Sequence, residues 1–433
     1  MNSPNVVLLV LDTLRGDSFG ELEKLTESGF VRLDGVAPSS WTLPSHVSMF
    51  TGKLSSEHGV RTRAGIAWEE LMRISRATMG GDTLLTRLAA KGYTTYGHSA
   101  NQFISPQFGF VFDHQMLFDG GGAIEGPREA GPSVPLLGRL VAILTRKGAI
   151  GGAARWLFFG LLGRALFLGG REVREKGATP ILRALKETSF KEPFFSFVNL
   201  MEAHQPYLWW PLDALTVKLS ILGRRPHTGW WKKLYPEHAR VATSSAAQVV
   251  SYFEKYDPLV IVTSDHGQLI GERGRFGHGW SLDEALLKVP IFVRLPKGSG
   301  GLSLDGPLAS LSEVRRLVEN VISREPCAVG AQTAAAESWG FEVSNVREVA
   351  EQEGVAKDLF ATRVRVFSAK GSVLLNRDTG EIEETSPGLS PDEARELLKS
   401  APAAAPIVEQ APMPIPSQDE KEMLDRLRKL GYE

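Results

Sequence analysis

Short apolar runs punctuate this chain, and each ends in a polar residue able to bind a ligand. Residues 5–11 (NVVLLVL) are apolar without alternation after Asn5, the pattern of a strand buried on both faces of a parallel sheet, and they deliver Asp12. Residues 93–99 predict another strand, ending near His98 and Asn101. Residues 193–200 (PFFSFVNL) lead into Glu202, His204 and Tyr207, and 258–264 (PLVIVTS) into Asp265 and His266. Residues 289–294 predict a further strand. Between these runs lie helical stretches: 82–91 with Asp82 as N-cap and Gly92 as stop, 243–255, and 311–322 with Ser310 and Glu313 as a capping box. Strand and helix alternate, which predicts an α/β fold around a central, mostly parallel sheet flanked by helices.

Residues 38–52 (PSSWTLPSHVSMFTG) set Thr42 just ahead of Pro44, which suits the first turn of a helix because its missing N–H has no helical acceptor there. Free amides at that helix start would face an anion beside Thr42. Ligands in open α/β sheets gather at the carboxyl ends of the strands. Asp12, Thr42, Asp265 and His266 therefore form the expected metal set. Carboxylates supply charge, and the imidazole favours zinc, manganese or iron over calcium. A divalent metal, zinc or manganese, would acidify the Thr42 hydroxyl and make it a nucleophile. His204 and His278 are expected to protonate a leaving group or, with Glu202, to hold a second metal. Asn101, His98 and His46 are expected to contact the substrate anion. Taken singly, an aspartate at a strand end is a cap and Ser-Asp-His-Gly is a turn; their coincidence at one sheet edge points to a site.

Composition narrows the class. At 433 residues and 42% apolar content the chain can bury a large core. Its net charge of −1 argues against a globally basic nucleic-acid binder. One cysteine, Cys327, leaves no internal disulfide and no zinc knuckle. No signal peptide or spanning run is evident, so a cytoplasmic protein is expected, peripheral to the membrane if residues 136–176 meet lipid. That stretch holds eight Arg/Lys against two Glu. It reads as an inserted helical hairpin, serving as a lid, an oligomer contact or a surface for anionic lipid. The domain plan is a catalytic unit over 1–330 with insertions at about 120–180 and 209–240. Residues 331–400 form a small antiparallel unit whose hairpin pairs 362–367 with 372–376, and 401–433 are an Ala/Pro-rich linker and a terminal helix. Tryptophans at 209, 210, 230 and 231 could floor a pocket, sit at a membrane or simply pack.

NVVLLVLDTLRGD, Thr42-Leu-Pro-Ser-His, EAHQPY, TSDHG, GHGWSLDEALLKVPIFV and LRKLGYE occur in that order. Together they resemble the sulfatase-like branch of the alkaline phosphatase superfamily, with Thr42 at the nucleophile position. The resemblance implies metal ligation by Asp12, Asp265 and His266 and substrate contact by His204. It also has departures. Thr13 replaces a second aspartate, His46 an arginine and His278 a lysine. Sulfatases of this branch use formylglycine made from cysteine or serine, which Thr42 excludes. A threonine nucleophile is shared with superfamily members acting on phosphate esters, so the resemblance implies hydrolysis or transfer of a phosphomonoester or diester through phospho-Thr42. The alternatives are a sulfate-ester or phosphonate hydrolase using unmodified threonine, and a degenerate binding protein.

Overall fold

The computed structural model describes residues 3–61, 67–119, 122–123, 176–208, 210–224, 226, 229–340, 354, 359–403 and 421–425. The expected 136–176 insertion, save Lys176, lies outside them, as do the linker beyond residue 403 and most of the terminal helix, of which 421–425 are helical. Nine strands form one sheet in the order Ala309–Ser310, Val31–Val36, Lys288–Arg294, Leu259–Thr263, Val6–Leu11, Phe194–Leu200, Thr94–Ser99, His114–Asp119 and Gly122–Ala123.

Val6–Leu11 lies at the centre, parallel to both neighbours. Parallel pairing continues through Thr94–Ser99 to His114–Asp119. Lys288–Arg294 runs antiparallel to the strands on either side of it. The central run lacks polar alternation because both faces are covered. Val6, Leu8 and Val10 join one apolar cluster, whereas Val7, Leu9 and Leu11 join the other.

The first cluster contains the helix Thr42–Thr51, all ten residues of which are buried. Phe50 anchors it, its ring edge-on to Phe110, Phe112, Phe195 and Phe197 at centroid distances of 5.4–6.4 Å. Gly52 ends it in the left-handed region at φ 73°. The second face is covered by the helix Gly229–Phe253. This helix corrects two expectations: it absorbs the predicted 243–255 helix and the second half of the 209–240 stretch. Trp231 is core, edge-on to Tyr207 and Phe276. Pro236 sits inside the helix, and a buried stripe of Trp231, Tyr235, Ala239, Ala242, Ala246 and Val249 continues across it.

The helix expected over 82–91 spans Leu84–Ala90, and its cap is Thr83, whose hydroxyl accepts from the Thr86 amide. Asp82 instead binds Arg87 and Arg315. The C-terminal strands Thr333–Trp339, Thr362–Ser368, Gly371–Asn376 and Ile382–Thr385 form an antiparallel sheet. It grips the segment around Thr42 from both ends: the Glu337 amide donates to Pro38 O, and the Glu337 carboxylate accepts from the Ser56 amide. Cys327 is a buried free thiol. Among the described residues no helix is long and apolar enough to cross a membrane.

Candidate active site

The parallel strands deliver their C-terminal residues to one edge. Asp12 follows Val6–Leu11, and its amide is fixed by Leu200 O at 2.8 Å. Thr13 then adopts φ 62°, an uncommon conformation for a β-branched residue. The bend lets its amide donate to Asp265 Oδ1 at 3.2 Å, while its carbonyl accepts from the Tyr235 hydroxyl at 2.9 Å. Asp265 follows Leu259–Thr263, and Oδ1 also accepts from the His266 amide. One oxygen of each carboxylate is thus committed, while Asp12 Oδ1 and Asp265 Oδ2 are buried with no hydrogen-bond partner.

Thr42 occupies the first helical position after the extended cap residue Trp41. Its hydroxyl lies 3.4 Å from Asp12 Oδ2, 3.4 Å from His266 Nε2 and 3.5 Å from Asn101 Nδ2. Asn101 is held by its own turn and donates to Asp12 Oδ2 at 2.7 Å. His266 Nδ1 faces Gly267 O at 2.8 Å, which puts the proton there and leaves the Nε2 lone pair turned toward the carboxylates and Thr42.

Asp12, Asp265 and His266 offer ligand atoms all within 4.8 Å of one another and are wholly buried. Burial, reinforced by the neighbouring Asp265 charge, pushes the Asp12 carboxyl up to about 7. Burial likewise raises Asp265 to about 7 and lowers His266. Two partnerless carboxylate oxygens beside an imidazole lone pair fit a divalent cation, which would supply the positive charge these groups lack.

His204 and His278 flank this centre. The rings of His266 and His278 lie 4.6 Å apart between centroids, and those of His204 and His278 lie 5.0 Å apart. His204 Nδ1 faces Gln205 O, which leaves Nε2 buried and unpartnered. His278 Nδ1 donates to Gln268 Oε1 at 2.7 Å, and Gln268 Nε2 donates to Gln205 Oε1 at 2.9 Å. Burial holds His204 down at about 3 and His278 well below the usual imidazole value.

Three expected residues have other surroundings. Glu202 binds the start of the helix Ala178–Glu187, its Oε1 accepting from the amides of Lys176 and Ala178. Among the described residues it joins no three-ligand group with His204 and His278. His98 shares a strand face with Tyr96, which belongs to the second apolar cluster, opposite the Thr42 helix. His46 lies beneath Thr42: its Nδ1 donates to Thr42 O at 2.9 Å, and its ring meets Phe110 and Phe197 edge-on. It braces the Thr42 segment from the core side. Sequence reasoning missed Gln268 and Tyr235. Gln268 lies only two residues after His266, the one signal available for it, whereas Tyr235 reaches Thr13 from a distant helix.

A scan against models of known protein families gives no match, and neither does a sequence search of curated proteins. Solved structures do match over nearly the whole chain. A phosphonate monoester hydrolase from Silicibacter pomeroyi aligns with 98% of this chain and 95% of its own at 13% identity and TM-score 0.58. A putative sulfatase from Bacteroides thetaiotaomicron aligns with 99% and 91% at 11% identity and TM-score 0.56. The chain has the fold of the sulfatase branch of the alkaline phosphatase superfamily. A phosphonate monoester hydrolase from Agrobacterium radiobacter shares this sulfatase-like fold over 92% of this chain and 94% of its own, at 13% identity and TM-score 0.53.

Proposed function

We propose that this chain is a metal-dependent hydrolase or transferase of phosphate esters with Thr42 as the nucleophile. The observation that carries it is the placement of Thr42 Oγ1, at the start of a fully buried helix and within 3.5 Å of Asp12, His266 and Asn101. The neighbours named as phosphonate monoester hydrolases and sulfatases agree with displacement at a tetrahedral oxyanion.

Asp12, Asp265 and His266 would hold the cation, with the Thr42 oxygen beside it. A bound divalent metal supplies Lewis acidity, lowering the hydroxyl pKa and neutralising developing charge. Thr42 Oγ1 forms a bond to phosphorus as the bond to the leaving oxygen breaks. Its proton leaves toward Asp12 Oδ2, 3.4 Å away, while Asp12 Oδ1 and His266 Nε2 are left for the cation. The leaving oxygen departs as an aryloxide or alkoxide and takes its proton from solvent, beside His204 and His278, whose rings flank the site. Water or an acceptor alcohol then attacks phosphorus and restores the threonine. Asn101 steers Asp12 and can donate to a phosphoryl oxygen. Conversion of residue 42 to an aldehyde is closed to threonine, because oxidation of its secondary alcohol gives a ketone.

The test is turnover of aryl phosphate, aryl phosphodiester and aryl sulfate with added zinc or manganese, in wild type, Thr42→Ala and Thr42→Ser. Thr42→Ala is expected to lower kcat for a phosphate ester by at least about 10⁴-fold, with partial recovery in Thr42→Ser. A Thr42→Ala protein of undiminished activity refutes the assignment, and turnover of the sulfate ester alone refutes the phosphate assignment.

A further inference from the structure

We infer that Tyr235, acting through the backbone bend at Thr13, is a positioning residue for the two carboxylates of the candidate metal centre. The inference rests on the metal centre proposed above and extends it to a residue on a distant helix.

The central strand ends in a tight turn. The Leu14 amide returns to Leu11 O at 3.2 Å, so Asp12 and Thr13 are the two middle residues of that turn. Thr13 is the second of them, and its φ of 62° lies in the left-handed region that turns reserve for glycine or asparagine. A β-branched residue is strained there. Thr13 Oγ1 is buried without a hydrogen-bond partner, so the side chain gains nothing from the bend. The backbone is what the site uses, because the Thr13 amide donates to Asp265 Oδ1 at 3.2 Å.

One buried hydroxyl holds both sides of the bend. Tyr235 Oη donates to Thr13 O at 2.9 Å and accepts from the Arg15 amide at 2.8 Å. Tyr235 is wholly buried on the helix Gly229–Phe253. The Arg15 side chain carries the tie across to the Asp265 loop: Nη1 donates to Gln268 O at 2.8 Å and to Glu272 at 2.6 Å, while Nε and Nη2 hold Asp17. The Gly16 amide adds a bond to Lys288 O at 3.0 Å. The backbone over 13–16 thus bridges the ends of the strands that carry Asp12 and Asp265, and Tyr235 fastens it at two points.

Without that hydroxyl a buried carbonyl and a buried amide lose their partner, and Thr13 can relax to negative φ. The rotation takes the Thr13 amide away from Asp265 Oδ1, the bond that leaves Oδ2 as the open oxygen. Asp12 shares the turn and moves with it. Displaced ligand oxygens hold a cation more weakly, as happens when a metal ligand loses its outer hydrogen-bond partner.

The experiment uses the full chain and manganese alone. Calorimetry compares wild type, Tyr235→Phe, Thr13→Gly, the double variant and Tyr93→Phe. Tyr93 controls for a purely structural loss, since its hydroxyl donates to Pro4 O at 2.7 Å, at the other end of the same strand. Tyr235→Phe should weaken manganese binding by about 10- to 100-fold, and Tyr93→Phe by less than about threefold. Glycine takes the bend without strain, so in a Thr13→Gly background the Tyr235→Phe loss should shrink by at least about fivefold. Hydrogen exchange in EDTA follows the bend without metal: Tyr235→Phe should quicken exchange over 12–16 by at least about tenfold and leave 6–11 unchanged. Three results overturn the positioning role while the metal centre stands: Tyr235→Phe binding manganese as wild type does, an equal loss in Tyr93→Phe, or a loss undiminished by Thr13→Gly. A wild type that binds no manganese overturns the metal centre instead, and exchange over 12–16 then decides whether Tyr235 holds the bend.

Discussion

Removing and restoring the divalent cation should change the thermal stability of this protein in a pH-dependent way, with a sign fixed by the buried carboxylates. Without metal, burial pushes the Asp12 and Asp265 carboxyls up to about 7, well above the usual carboxylate range. A raised carboxyl pKa means that the folded state binds more protons than the unfolded chain between about pH 4 and 7. Stability of the metal-free protein is therefore lost as pH rises through that window. A shift of roughly three units corresponds to about 4 kcal/mol for one such carboxylate. A cation at about 1,000 times its Kd returns about 4 kcal/mol. Spread over the unfolding entropy of a 433-residue chain, this is a rise in Tm of about 4–5 °C. The assay is differential scanning fluorimetry in EDTA and in excess manganese or zinc, from pH 5 to 8.5. The metal-induced rise should be largest near pH 8 and vanish near pH 5, where protons already occupy the carboxylates. Asp265→Asn should abolish the rise, yet in EDTA at pH 8 it should melt above the wild type, because it removes a buried unpaired charge. A rise independent of pH, or an Asp265→Asn protein less stable than metal-free wild type at pH 8, refutes this account.

Other perturbations isolate single roles. Asn101→Ala removes the 2.7 Å donor to Asp12 and should lower kcat by about 10²–10³-fold, measured on the better aryl ester. Glu202→Gln should leave one metal per chain by elemental analysis, because Glu202 serves the helix start at Ala178; loss of a second equivalent would restore the two-metal expectation. Glu337→Ala removes the 2.7 Å charged acceptor of the Ser56 amide and should cost about 2–3 kcal/mol in urea unfolding, with metal stoichiometry unchanged.

Most of the strand ends were legible because burial on both faces leaves uninterrupted apolar runs, and the polar residue after each run is conspicuous. Val6–Leu11 with Asp12 and Leu259–Thr263 with Asp265 and His266 show this directly. Thr42 was legible through Pro44 and the small polar residues around it. What failed was information that resides in tertiary neighbours. Glu202 sits in a ligand-rich hexapeptide, yet amides 24 and 26 residues earlier in the chain claim its carboxylate. Alternation places His98 with Tyr96, but only packing decides which face looks at Thr42. Pro236 reads as a helix breaker, and the apolar stripe from Trp231 to Val249 outweighs it. Gln268 is an unremarkable side chain until folding sets it between His278 and Gln205.

The departures from the sulfatase pattern become coherent once burial is considered. His46 lies between Phe110 and Phe197 and is wholly buried, and desolvation holds it down at about 3. An arginine there would bring a charge into an apolar cluster, beside the Asp265 carboxylate, 3.7 Å from His46, which the cation would also need. A neutral imidazole can brace the Thr42 carbonyl without competing for that carboxylate. The same logic applies at His278, whose partner is the neutral amide of Gln268. Neither histidine then adds a fixed charge beside Asp12 and Asp265. On the proposed function, polarisation would come from the cation and orientation from neutral donors such as Asn101.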